Sequence, residues 1–218
     1  MSPAIPLDAA DEALCYAASD GEDWLISSWR TGGGFENIGD FGVGGIEAIA
    51  FNFDDSILYG EDGGDLGSIN TTTGAFTVIG SAGDADGYQN GLLVTETISS
   101  LDGLAFDPGT GILYGAERVG GDDLLVQINP TNGEVVQDAF GLGVDYVEIL
   151  ASPITGFDDI DDITIDPTDG QMYEISNNDA AGSHHERWPR LDVDRRGWGS
   201  QAGRGRNRLP YAGRLVGL

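Results

Sequence analysis

Hydrophobic positions in this chain come in short runs bounded by Gly, Pro, Asn and Asp. Ile49-Ala50-Phe51, Ile57-Leu58-Tyr59 and Phe76-Thr77-Val78-Ile79 are representative. Runs of this length, rich in β-branched and aromatic residues and closed by turn formers, predict short strands. The three-to-four spacing of an amphipathic helix is nearly absent. Asp107-Pro108-Gly109-Thr110-Gly111, Asn129-Pro130-Thr131-Asn132-Gly133 and Asp166-Pro167-Thr168-Asp169-Gly170 share one turn mechanism. The Asx side chain accepts turn amides, Pro presets φ, and the closing Gly supplies the positive φ that reverses the chain.

The strands repeat. Ile49-Ala50-Phe51-Asn52-Phe53-Asp54 with Ile57-Leu58-Tyr59-Gly60 returns as Leu104-Ala105-Phe106-Asp107-Pro108 with Ile112-Leu113-Tyr114-Gly115, and again as Ile163-Thr164-Ile165-Asp166-Pro167 with Gln171-Met172-Tyr173-Glu174. Leu66-Gly67-Ser68-Ile69-Asn70 and Leu125-Val126-Gln127-Ile128-Asn129 supply a third strand to the first two copies. Phe76 to Gly80 and Glu134-Val135-Val136 supply a fourth. The tyrosines stand 55 and 59 residues apart, longer than the roughly 40 to 50 of common blade repeats, and connections at 81–99 and 142–156 account for the excess. Upstream, Leu14 to Ala17, Trp24 to Trp29 and Phe35 to Gly39 match the last three strands of a copy whose first strand is missing.

Four antiparallel strands per repeat predict an all-β fold of β-propeller-like four-stranded blades. The expected organisation is an extension over 1–11, repeats over 12–182 and a disordered or aberrant tail over 183–218. The repeats divide into a partial blade 12–42, blades 46–80 and 101–141, and a half blade 160–179. About three blades fall short of the roughly four to eight of closed propellers, so open sheet edges and edge-to-edge self-association are expected. The motif apolar-Ala-Phe-Asp-Pro, Leu-Tyr-Gly, Ile-Asn-Pro-Thr-x-Gly resembles the Asp/Gly-rich β-propeller repeats of prokaryotic surface and secreted proteins, distant relatives of the NHL and YVTN types. That resemblance spans about residues 12 to 179 and implies binding or structural roles more often than catalysis. It also implies an extracellular or cell-surface location, although Met1 to Asp8 lacks the features of a signal peptide and no apolar run reaches membrane-spanning length.

Charge alters this picture in two places. The chain carries 37 acidic residues against 10 basic ones, all Arg, for a net charge of −27. Residues 1 to 186 hold 35 acids and only Arg30 and Arg118, a net of −33. Such a body repels nucleic acid and anionic membrane, and strong salt or divalent cations would relieve its self-repulsion. From Arg187 to Leu218 eight Arg face two Asp, a net of +6. The strand pattern stops where the charge reverses. Codons for His184 to Leu191, shifted by one base, can encode a strand-like continuation of the third copy, so residues 183–218 read as an out-of-frame end. The competing reading is an Arg-Gly segment for a nucleic acid or a partner.

Candidate chemistry is sparse. His184, His185 and Glu186 have no zinc-motif spacing. They are the only histidines, which leaves a Ser-His-Asp triad or a multi-histidine metal centre without ingredients elsewhere. Cys15 is expected to be a buried small hydrophobe. Calcium is the one cofactor the residues suggest. Gly83-Asp84-Ala85-Asp86-Gly87 with Asn90 places hard oxygen donors around a bend, so Asp84, Asp86 and Asn90 are the candidate ligands. Glu61-Asp62-Gly63-Gly64-Asp65 and Phe157 to Asp162 are similar oxygen-rich stretches. Phe51, Tyr59, Phe106, Tyr114 and Tyr173 recur at equivalent positions and are expected between sheets. The leading expectation is a non-enzymatic surface or secreted repeat segment that binds a protein or carbohydrate, with no nucleic-acid partner for its acidic body. The alternatives are part of a polysaccharide hydrolase or lyase with an unidentified carboxylate pair, and a purely structural repeat of a larger surface protein.

Overall fold

The computed structural model describes residues 14–19, 23–29, 34–119, 122–150, 160–176 and 214–216. Those residues form strands and turns, with no helix among them. β1 (Leu14–Ser19), β2 (Trp24–Trp29) and β3 (Glu36–Asp40) make a three-stranded meander. β4 (Ile46–Phe51), β5 (Leu58–Asp62), β6 (Asp65–Ile69) and β7 (Phe76–Ser81) make a complete four-stranded one. A hairpin of β8 (Gly83–Gln89) and β9 (Leu92–Ile98) intervenes before β10 (Gly103–Phe106), β11 (Leu113–Val119), β12 (Asp122–Ile128) and β13 (Tyr146–Leu150). β14 (Ile160–Ile165) and β15 (Met172–Ser176) pair as a final half-sheet, and β16 (Arg214–Val216) runs parallel to β13.

Successive sheets stack face to face because their strands are apolar on both sides. Leu58 packs towards the β1–β3 sheet with Leu25, Phe41 and Ile69, whereas its neighbour Tyr59 packs the other way, with Leu104, Leu113 and Leu124. One repeat later Leu113 takes the first direction and Tyr114 the second, towards Ile160, Ile163 and Met172. Adjacent strand residues point to opposite faces, so one strand feeds two cores. The recurring aromatics meet across the first two junctions. Tyr16 lies 5.6 Å from Phe51 and Tyr59 lies 5.4 Å from Phe106, ring centre to ring centre. First strands also stand side by side, β10 packing against both β4 and β14. This is the arrangement of propeller blades about an axis, here as one three-stranded sheet, two complete blades and a half blade.

Backbone contacts repeat with the same period. Phe76 donates its N–H to the Phe41 carbonyl at 3.0 Å, and Val135 does so to Ala82, also at 3.0 Å. Two residues earlier in each partner, Gly74 faces Gly39 and Gly133 faces Gly80, so close that a Cβ on Gly74 or Gly133 would overlap the carbonyl oxygen of Gly39 or Gly80, and a Cβ on Gly39 or Gly80 would overlap that of Thr73 or Asn132. Glycine is required there by the approach of two backbones.

Three expectations change. The fourth strand of the second full blade begins where expected, with Val135 bridging Ile128 and the Val136 N–H reaching Gln127. It then loops out over 137–145 and resumes as β13, opposite Asp123 to Val126 on β12. The blade therefore runs past 141, and Tyr146 to Leu150 is strand rather than connection. The connection at 81–99 is mostly the β8–β9 hairpin, whose turn is built by Asn90 and Gly91 at φ of 51° and 81°. Two successive positive φ values suit the right-handed twist of the flanking strands. Cys15 is exposed, not buried. Among the described residues β1 pairs only with β2, and Cys15 lies on the outward face of that sheet while Leu14 and Tyr16 turn inward. A cavity of about 250 Å3 opens between Leu14 and Tyr16 of β1 and Ile49, Phe51 and Leu58.

Candidate functional site

In a four-stranded meander the first and third turns lie at one end and the middle turn at the other. At the first of these ends the Asx residues close their own turns. Asn52 accepts the Ser56 amide at 2.9 Å, Asn70 that of Thr72 at 2.9 Å, Asp107 that of Gly109 at 2.7 Å, Asn129 that of Thr131 at 3.0 Å and Asp166 that of Thr168 at 2.7 Å. The glycines closing four of these turns, Gly74, Gly111, Gly133 and Gly170, all have positive φ. The turn mechanism expected from the sequence is thus present in full. Hydrogen bonds to the ionised form hold Asp54 and Asp166 below the ordinary Asp range, through the Ser56 and Thr168 hydroxyls first and their amides next.

The opposite end gathers carboxylates that the turn grammar does not use. Glu47, Glu61, Asp62, Asp102, Glu117 and Asp161 come from three successive repeats and influence one another's ionisation. Glu61, at the end of β5, is fully buried. Its Oε1 accepts the Gly64 N–H within the β5–β6 turn. Its Oε2 has no hydrogen-bond partner among the described residues, and the Leu101 amide acts on the carboxyl as a second nearby donor. Burial pushes the Glu61 carboxyl up to about 7, against the two amides, and the charges of Glu47 and Asp62 add to the rise. Glu117, at the matching end of β11, is also buried and accepts the Ser99 amide at 3.2 Å on each oxygen and the Ser99 hydroxyl at 3.2 Å. Burial again raises it despite those bonds. Asp102 accepts the Arg118 amide at 3.0 Å and faces the Arg118 guanidinium at 3.7 Å. Its carboxyl is raised too, burial outweighing both contacts with Arg118. The Ser100 hydroxyl donates to Glu47 at 3.4 Å, so segment 99–102, which leads into β10, is held by carboxylates from the blades on both sides.

A second acidic cluster joins the two departures from the repeat. Buried Asp145 accepts the Asp86 amide at 2.9 Å and the Asp138 amide at 2.6 Å, while its own N–H donates to the Asp86 carbonyl at 2.6 Å. Glu148 accepts the Asn90 amide at 2.9 Å, and the Tyr146 hydroxyl donates to the Val94 carbonyl at 3.1 Å. The 137–145 loop and the β8–β9 hairpin are thereby clasped together.

The proposed calcium ligands fall inside this clasp but not around one point. Asp84 and Asp86 lie on the outward face of β8, and the Thr97 and Thr95 hydroxyls across the hairpin donate to them, the former at 2.7 Å. Asn90 sits in the turn at the far end of the same strand. The Asp-x-Asp-Gly sequence is strand, not loop, and its Gly serves packing: a Cβ on Gly87 would stand 2.7 Å from the Tyr146 ring. Among the described residues no group of three or more His, Cys, Asp or Glu is placed to hold a metal. In Glu61 to Asp65, Glu61 is turned inward and Gly63 and Gly64 form the bend. His184, His185, Glu186 and residues 157–159 lie outside the described residues. The sequence marks Glu61 only as part of an oxygen-rich stretch and Glu117 not at all, although both share one signal, a carboxylate one or two residues past the Tyr-Gly of a doubly buried strand.

No protein-family model matches the chain, and no curated protein does. Solved structures with a similar fold include a chain of a nidogen/laminin complex, at 17% identity and a TM-score of 0.45, covering 76% of this chain and 53% of that one. Hydrazine synthase of Kuenenia stuttgartiensis aligns at 13% identity and a TM-score of 0.33, over 61% and 29%. The Dos1 propeller aligns at 13% and 0.31, over 71% and 50%. The chain spans about half or less of the length of each. Among the described residues no helix is long and apolar enough to cross a membrane.

Proposed function

We propose that this chain is a propeller-type repeat segment of a surface or secreted protein that binds a protein or carbohydrate through the acidic end of its blades. The carrying observation is the division of labour between the two ends. At one, Asx side chains are consumed by their own turns. At the other, carboxylates of three repeats converge, with Glu47 exposed and Asp62 half-buried at the rim. Side chains already spent on local turns are poor recognition groups, whereas rim carboxylates above a rigid scaffold are available to ammonium, guanidinium or hydroxyl donors.

The test is binding of the full chain to a glycan array and a panel of cationic peptides. Charge reversal at the acidic rim, Glu47→Lys with Asp62→Lys, should abolish any binding found, and reversal at the turn end, Asp54→Lys with Asp169→Lys, should leave it intact. The opposite pattern would overturn the assignment. The hydrolase or lyase reading has support in the raised carboxyls of Glu61 and Glu117, but both are buried and occupied by main-chain amides. Turnover of an acidic or neutral polysaccharide that is lost in Glu117→Gln would favour it. Calcium remains a proposal for the Asp84 and Asp86 face, and a thermal midpoint unmoved by millimolar calcium would count against it.

A further inference from the structure

Glu61 does more than cap a turn. The Gly63–Gly64 bend it holds is pressed directly against the next connector: a Cβ on Gly64 would lie 2.9 Å from the Ile98 carbonyl oxygen and 3.1 Å from the Ser99 Cα. The Gly64 carbonyl in turn accepts the Ala82 N–H at 2.9 Å. One fully buried carboxyl therefore sits where the bend of one blade meets the segment entering the next, with one oxygen on the Gly64 amide and the other without a hydrogen-bond partner among the described residues. Every charged group influencing it from its own blade is negative, Glu47 on β4 and Asp62 on β5. Across the connector stand Asp102 and Glu117, which also repel each other, and Arg118, whose charge is directed to Asp102.

We propose that Glu61 is a proton-dependent latch between these two blades, closed while its carboxyl is neutral and released when it ionises. A neutral carboxyl is tolerated in a dry site, whereas an ionised one with an unpaired oxygen and acidic neighbours gains most by reaching water. The route to water is separation of the 62–65 bend from segment 99–102. Release therefore exposes the seam at the acidic end, and the raised carboxyl described above places the change near neutral pH. The latch stands whether or not the acidic end binds a partner.

The experiment is amide hydrogen exchange on the full chain between pH 5.5 and 8, corrected for intrinsic exchange. Protection at Gly64 and at Ser99 to Leu101 should fall at least tenfold across that range in the native protein. It should stay flat in Glu61→Gln, while amides in the Asn70 and Asn129 turns are unchanged in both. An equal fall in Glu61→Gln, or no fall in the native protein, overturns the latch. Should Glu61→Gln not fold, carboxyl carbon NMR of the native chain decides. A buried Glu titrating near neutrality together with the Gly64 amide shift supports the latch, and titration of every Glu below about pH 5.5 overturns it.

Discussion

Asp107 takes an amide two residues ahead of it in the chain, whereas Glu117, at the other end of the same blade, takes the amide and hydroxyl of Ser99, eighteen residues behind. Both are buried carboxylates on main-chain donors. One bond closes a loop that its own residues would form anyway. The other fastens a connector that has no turn signal of its own. Local bonds on exposed Asp54 and half-buried Asp166 favour the charged form, while burial of Glu61, Asp102 and Glu117 favours the neutral one. The same chemistry thus makes one end of the blades insensitive to pH near neutrality and the other responsive to it.

The largest expected effect lies at the turn end, where blades touch through backbone. Gly133→Ala should cost about 3 kcal/mol, because a positive φ is strained for alanine and the added methyl overlaps Gly80. Gly91→Ala, at a φ of 81° against 80° for Gly133 but with nothing near its Cβ, should cost only about 1 kcal/mol. Equal losses in urea unfolding would remove the contact from the explanation.

At the acidic end, Glu61 has a folded value of about 7 against an ordinary 4.5. The folded state then binds more protons than the unfolded one between those values. Its contribution is full below the lower value and is lost as pH rises through the higher. Stability should fall by about 2 to 3 kcal/mol between pH 4.5 and 8, and the Glu61→Gln difference curve should isolate that slope. A native stability curve that rises over this window would break the contrast between the two ends.

Asp145→Ala should cost about 2 kcal/mol by stranding the amides of Asp86 and Asp138. Protease cleavage within 137–145 should accelerate before global unfolding. The smallest effect belongs to Asp107→Ala, about 1 kcal/mol, with the turn frayed but the sheet registers kept. Asp107→Asn should restore most of it, since the amide oxygen still accepts the Gly109 N–H.

Most of the fold was legible because its signals are local. Gly111, Gly133 and Gly170 sit where the turns need positive φ, and Tyr16, Tyr59 and Tyr114 mark the second strand of each repeat. What escaped was non-local. The resumption of a strand at Tyr146 after the 137–145 loop depends on β12 offering it an edge. Asp84 to Gly87 is the exception, a strand because it pairs with Val94 to Thr97 across the local Asn90-Gly91 turn. Cys15 follows a buried pattern in sequence and is exposed because only the other face of β1, with Tyr16, packs on the next sheet among the described residues.

By itself, then, the sequence determined the strands, their turns and the repeat, since each is decided by the steric preferences and hydrogen-bonding reach of a few consecutive residues. Tertiary structure alone decided which carboxylates would be charged, spent or shared. Exposed Asp54 meets the Ser56 amide two residues ahead of it in a peptide much as in the protein. Glu61 and Glu117 acquire theirs only when two blades close over them, and the loss of water raises both carboxyls.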